Sequence, residues 1–188
     1  TGKENMEIVI ASSNKGKIKE IQEILNNYKI ISLKELNIDI NIEIKEDGKT
    51  FLENAIKKAT EISKFVDGKL SIADDSGIEI EYLNGFPGVH TKRWMEGTDR
   101  QRNLAILDKL KGVPKEKRKI TFITAIALTD GKDLITAEGK IDGYVSENIR
   151  GENGFGFDEI FELYDGRTLA ELSSDEKNKI SSRRKALE

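Results

Sequence analysis

Two adjacent carboxylates, Asp74 and Asp75, stand between the apolar run Leu70-Ser71-Ile72-Ala73 and the pair Ser76-Gly77. At the C-terminal end of a buried strand, this is where α/β sheets place their ligands. A carboxylate there can hold Mg²⁺ or take a proton from an attacking water. Neighbouring side chains on an extended backbone point to opposite faces, so the pair is not one chelate. One carboxylate can face a ligand while the other is buried in support or caps a turn. Asp-Asp-Ser-Gly is also an ordinary turn sequence.

The run Ser12-Ser13-Asn14-Lys15-Gly16-Lys17 offers a second kind of chemistry. A strand ends there and a helix begins, so free N–H groups and the positive end of the helix dipole suit a phosphate, with Lys15 or Lys17 adding charge. The spacing matches neither a P-loop nor a dinucleotide fingerprint. In the plainer alternative, Ser13 or Asn14 only caps the helix and the lysines are solvated. Glu46 and Glu53 are further candidate metal ligands. Glu53 sits at the third helical position after Thr50, where closing a capping box is the favoured use. Glu46 has no such structural employment, and an exposed loop acid is its alternative. In Gly154-Phe155-Gly156-Phe157-Asp158, glycines let a flat ligand approach, an aromatic face can stack on a base, and Asp can accept from ring N–H groups. A hairpin with core phenylalanines explains the same run. Lys177 and Arg183 lie six residues apart on the terminal helix, less than two turns.

Composition narrows these options. The 188 residues include one histidine, His90, and no cysteine, which removes disulfides, thiolate zinc sites, cysteine nucleophiles and His-rich metal sites. Chemistry must run on carboxylates, Lys, Arg, hydroxyls and backbone, favouring hard cations. Charged residues make up 35% of the chain, yet 31 basic and 34 acidic side chains leave a net charge of only −3. That balance argues against a nucleic-acid partner. No apolar run approaches the roughly 18 residues of a membrane helix, and no signal-peptide profile opens the chain. A soluble cytoplasmic protein is expected. Residues 6–188 read as a single domain, with 1–5 a tag scar or the edge of a longer chain.

The elements that must position these residues alternate in type. Glu7 to Ala11 reads as a buried strand, followed by a helix with Ile18, Ile21, Ile24 and Leu25 at helical spacing. Ile30 to Ile44 reads as strand. The Thr50 capping box opens a helix with Leu52, Ala55, Ile56, Ala59 and Ile62 as its stripe. After the strand leading into Asp74, the alternation of Ile78, Ile80 and Tyr82 predicts a half-exposed strand. A helix from about Thr98 carries Leu104, Leu107 and Leu110 on one side. Ile120 to Leu128 and Leu134 to Val145 form a hairpin about Asp130-Gly131. Gly151 to Asp158 is a glycine-rich loop, and Ser173-Ser174-Asp175-Glu176 caps the terminal helix. The fold class is α/β with a mixed central sheet flanked by helices.

Taken together, six ordered motifs carry a resemblance. They are Ser12 to Lys17, Glu46 to Ala55, Ala73 to Gly77, Gly85-Phe86-Pro87-Gly88-Val89, Gly154 to Asp158, and Glu176-Lys177-Asn178-Lys179-Ile180-Ser181. From Met6 onward the chain resembles the inosine triphosphate pyrophosphatases, also called non-standard purine NTP or dITP/XTP pyrophosphatases. The resemblance implies a homodimeric α/β protein with a cleft between two lobes. It would hydrolyse ITP, dITP and XTP to the monophosphate and pyrophosphate using Mg²⁺. Ser12, Asn14 and Lys17 would bind the triphosphate, with Ser13, Lys15 and Gly16 in the same binding run. Glu46 and Asp75 would hold the metal, and Asp75 would also accept the proton of the attacking water. Ser76 would touch substrate, and Phe155 would stack on the purine. Gly156, Phe157, Asp158 and Lys177 would line the base pocket.

One departure stands out. The family reads Ser-His-Arg after the isoleucine of its last motif, whereas here Ile180-Ser181-Ser182-Arg183 keeps the arginine and has serine for histidine. Serine is shorter and uncharged, so it reaches the base through water. A pyrophosphatase of altered or broad base preference is the alternative expectation. A nucleotide-binding protein without turnover is the alternative from another class.

Overall fold

The computed structural model describes residues 7–12, 15–32, 48–66, 69–91, 94–154 and 156–180. The expectations for Ser13, Asn14, Glu46, Phe155, Ser182 and Arg183, and for the strand beyond Ser32, lie outside the described residues. Contacts divide the chain into two compact units. One draws on Thr1–Ser76 and Thr124–Gly139, the other on Gly77–Ile123 and Lys140–Ser181.

In the first unit, β1 (Glu7–Ile10) runs parallel to β2 (Lys29–Ser32) and to β3 (Leu70–Ile80). Parallel neighbours need helical crossovers, and the chain supplies α1 (Lys15–Ile24) and α2 (Phe51–Ser63). The two helices are served by alternate strand residues. Ile8, Ile10 and Ile72 pack with Ile21 of α1, whereas Val9 packs with Ile62 of α2 and Val66. A near-continuous apolar strand is what a sheet covered on both faces requires. The register sets Ile10 opposite Ile72, and Ala11 N–H continues the ladder to Ile72 C=O at 2.9 Å.

In the second unit, β4 (Phe86–Pro87) lies antiparallel on the end of β3. α3 (Asp99–Lys109) follows, then the start of β5 (Lys119–Thr129) and the end of β6 (Leu134–Val145). β7 (Phe161–Glu162) pairs antiparallel with β6, and α4 (Ser174–Ile180) closes the described chain. Ile78, Ile106, Ile120, Ile141, Phe157 and Phe161 are among the residues of its core. The described strands form one mixed sheet in the order β2-β1-β3-β5-β6-β7, with β4 on β3, as the α/β expectation requires.

Three local expectations need correction. Asp74-Asp75-Ser76-Gly77 is neither the expected end of a strand nor the alternative turn but the middle of β3, which continues unbroken to Ile80. Turn propensity loses because each of these polar side chains is buried and its backbone is held in the sheet. Tyr82 leaves the strand pattern and lies exposed in a 3₁₀ turn, Glu81–Leu83. In α3 the inward stripe is Asn103, Ile106 and Leu110, while Leu104 is 52% exposed. Leu110 is buried and Leu107 packs against the core as expected, so only Leu104 departs, its place inside taken by the polar Asn103.

Candidate active site

Asp74 and Asp75 sit on opposite faces of β3, and each meets a lysine from the helix on its own face. Asp74, 2% exposed, has Oδ1 3.5 Å from Nζ of Lys17, which is 6% exposed in the first turn of α1. Asp75, 8% exposed, faces α2 instead. Its Oδ2 accepts from Asn54 Nδ2 at 3.0 Å, and Lys58 Nζ stands 3.7 Å from its Oδ1. Lys58 also donates to the backbone carbonyl of Asp74 at 3.0 Å. Asn54 and Lys58 are four residues apart, so one helix face presents both. Two carboxylates and two ammonium groups gathered in a buried region offset one another, which is the condition for keeping charge out of water.

The N-terminus of α2 fixes this arrangement. Thr50 Oγ1 accepts from Glu53 N–H at 3.1 Å. Glu53 Oε2 reaches back to accept from Lys49 N–H at 2.7 Å. Glu53 is therefore engaged in capping, as expected, though its acceptor serves Lys49 rather than Thr50. Asn54 Oδ1 accepts from Gly48 N–H at 2.8 Å, so this amide ties the loop before α2 to Asp75. A Cβ at Gly48 would lie 2.7 Å from that same Oδ1, so only glycine permits the approach.

The phosphate-binding expectation is partly placed. Ser12 follows β1, and Lys15 opens α1 as an exposed residue, with Gly16 half-buried behind it. Lys17 is buried beside Asp74 rather than solvated. Ser76 is buried in β3, two positions after Asp74 and so on the same face.

A second group gathers in the other unit. Asp158, 2% exposed, accepts from Lys177 Nζ of α4 at 2.5 Å. The capping box expected for α4 is present: Ser173 Oγ accepts from Glu176 N–H at 3.2 Å, and Glu176 Oε1 accepts from Ser173 N–H at 3.1 Å. The Ser173 N–H, reinforced by Arg167, lowers the pKa of the Glu176 carboxyl. Asp165 and Glu176 in turn hold the Arg167 guanidinium firmly protonated. Phe157 is part of the core, so it supports the loop from below. Gly154, Gly156 and Asp158, with Asp99 and Asn153, border a hollow of about 260 Å³.

Four participants escaped the sequence reading: Asn54, Lys58, Asp99 and Asn103. Asn54 and Lys58 at i, i+4 on a helix that also carries the Thr50 cap were a usable signal. Asn103 lies on the helical period of Ile106 and Leu110, the position of a buried residue.

Oxygen donors with no thiol or imidazole among them fit a hard cation such as Mg²⁺. No group of three or more potential ligands occurs among the described residues. Asp75 is thus the one expected ligand whose surroundings are defined, Glu46 lying outside the described residues.

Comparison with known proteins gives a consistent pattern. A family model described as the Ham1 family matches residues 8–188. A Clostridium perfringens protein named dITP/XTP pyrophosphatase is 47% identical over 191 residues, covering 96% of this chain and 93% of that protein. A Bacillus subtilis protein of the same name is 48% identical over 187 residues, with the same shares covered. Among solved structures, a HAM1 protein from Coxiella burnetii superposes with a TM-score of 0.84 at 38% identity, covering 97% of this chain and 94% of that one.

Proposed function

This chain belongs to the Ham1 family, and on that premise we propose that it hydrolyses dITP, XTP and ITP to the nucleoside monophosphate and pyrophosphate. The observation that carries the proposal is the likeness, at 47–48% identity over 96% of the chain, to relatives named dITP/XTP pyrophosphatase. The placement of Asp75 in this structure supports it: a buried carboxylate oriented by an amide and flanked by an ammonium group.

In this reading Asp75 is the proton acceptor. Water attacks the α-phosphorus, its proton passes to the Asp75 carboxylate, and the bond to the bridging oxygen breaks to release pyrophosphate. Asn54 fixes the orientation of that carboxylate by holding Oδ2. Lys58 balances its charge and ties the neighbouring carbonyl. Ser12, Ser13, Asn14, Lys15, Gly16 and Lys17 bind the triphosphate at the start of α1, where helix N–H groups and the dipole favour anions. Ser76 contacts substrate. Glu46 and Asp75 would hold Mg²⁺, which when bound neutralises charge on the phosphates. Phe155 stacks on the purine, and Gly156, Phe157, Asp158, Lys177, Ser182 and Arg183 serve the base. Inosine and xanthine carry N–H at ring position 1, which a carboxylate can accept, whereas adenine presents a lone pair there. The same reading takes residues 6–188 as one pyrophosphatase domain, forming a homodimer in the cytoplasm. No helix among the described residues is long and apolar enough to cross a membrane.

The deciding experiment measures pyrophosphate release from dITP, XTP, ITP, ATP and GTP with Mg²⁺. Turnover of the first three well above ATP is expected. No turnover of any nucleotide would remove the enzyme reading. Equal rates on ITP and ATP would instead favour the broad base preference that Ser182 motivates.

A further inference from the structure

Asn103 is fully buried on α3, and both protons of its amide are used on one short segment. Nδ2 donates to Gly156 C=O at 3.0 Å and to Glu159 Oε1 at 2.9 Å. These acceptors bracket Asp158, two residues before it and one after. From the first turn of the same helix, Asp99 Oδ2 accepts from Gly156 N–H at 3.1 Å. Gly156 is therefore held at both its N–H and its C=O by side chains of one helix. Glu159 is fixed further by Arg100 Nη2, 3.0 Å from its Oε2.

Each holder is itself held. Asp99 Oδ1 accepts from Arg102 Nη2 at 2.8 Å, while Arg102 Nη1 donates to the carbonyls of Met95 and Gly97. The Thr98–Gln101 capping box sets where α3 begins, and so where Asp99 stands. Below the segment, Phe157 is locked in the core. Beside it, a Cβ on Gly154 would run into Asp158 Oδ2, so the backbone is packed directly on the carboxylate. Loop glycines would ordinarily leave such a segment free to move. Here α3 removes that freedom at the residues around Asp158.

We propose that Asp99 and Asn103 are positioning residues for base selection, holding the Gly156–Glu159 segment so that the Asp158 carboxylate is aimed before substrate arrives. This rests on the reading above that Asp158 meets the purine base. Neither side chain touches the reacting phosphates in that reading. Their removal acts on discrimination between bases rather than on the chemical step.

The test compares steady-state hydrolysis of ITP and ATP by the wild type and by Asn103→Ala, Asp99→Ala and Asp99→Asn, each with Mg²⁺. Asn103→Ala and Asp99→Ala should lower the ratio of kcat/KM for ITP over ATP by about tenfold, mainly through a higher KM for ITP with kcat little changed. Asp99→Asn keeps an oxygen acceptor for Gly156 N–H and should restore most of the ratio, a rescue that general loosening of the fold would not produce. If Asn103→Ala does not fold, the two substitutions at half-exposed Asp99 decide the matter. A wild type that hydrolyses no nucleotide defeats the functional reading and this inference with it. A wild type that discriminates, with Asp99→Ala discriminating equally, overturns this inference alone.

Discussion

Asn54 and Asp75, 21 positions apart in the chain, are joined by a 3.0 Å hydrogen bond from amide to carboxylate. That bond makes Asp75 an oriented group rather than a solvated acid. Asp75→Asn should reduce pyrophosphate release by about a thousandfold, the range of a lost general base. The amide keeps an oxygen for Asn54 to donate to but leaves Lys58 without its counter-charge, so the fold should persist with a modest fall in Tm. Near-normal turnover in this variant would remove Asp75 from the mechanism.

Lys17 and Asp74 form a pair with both side chains almost wholly buried. Removing one member leaves the other charged and poorly compensated. Lys17→Met should cost about 3 kcal/mol in urea unfolding, with Lys17→Arg recovering part of it. In whatever folded fraction remains, KM for the triphosphate should rise.

Treatment with a chelator should abolish turnover, and Mg²⁺ should restore it. In Glu46→Gln the Mg²⁺ concentration giving half-maximal rate should increase by roughly tenfold, because one charged oxygen donor has become neutral. Full activity in rigorously metal-free buffer would refute the metal requirement.

Arg118 is buried and donates to the carbonyls of Leu110, Val113, Val145 and Ser146. Burial lowers its pKa, yet those acceptors keep the guanidinium in place. Arg118→Met would strand several carbonyls between α3 and the end of β6, at a cost of about 3 kcal/mol by denaturant unfolding. Activity per folded molecule should be unchanged.

Stability should fall on acidification through exposed carboxylates. The Glu176 carboxyl is lowered first by the Ser173 N–H, Asp165 by Arg167, Asp130 by the Asp133 N–H, and Glu7 by Lys69. A carboxylate whose folded pKa lies below its unfolded value stabilises above the unfolded value. It loses that contribution as pH falls through the folded one. Tm should therefore be flat from neutrality to about pH 5 and decline below that. Glu176→Gln should make the decline shallower.

Local patterns in the sequence anticipated much of this. The change of period after Ala11 marked α1, and the Thr50 and Ser173 caps marked α2 and α4. Asp74 and Asp75 could be singled out because two carboxylates follow directly on the apolar run Leu70 to Ala73. Lys58 could not be paired with Asp75, since nothing local links residues 17 places apart. The strand end expected at Asp74 was placed too early for the same cause: the lysines and the amide that make an extended polar run tolerable arrive from other elements. In α3, leucine spacing placed Leu107 and Leu110 but misplaced Leu104, because Asn103 is buried for its hydrogen bonds, which a hydrophobic count does not register.

The unbroken course of β3 makes its length a functional quantity. Odd and even positions answer to different helices, so the chain counts residues as well as choosing them. Deleting one residue between Ile72 and Asp74 would exchange the faces of the two carboxylates, bringing a different acid to Asn54 and Lys58. An insertion of two would keep the parity yet move both acids along the strand. Point substitutions aside, this stretch of the gene has no freedom of reading length, and the strand acts as a ruler for the site.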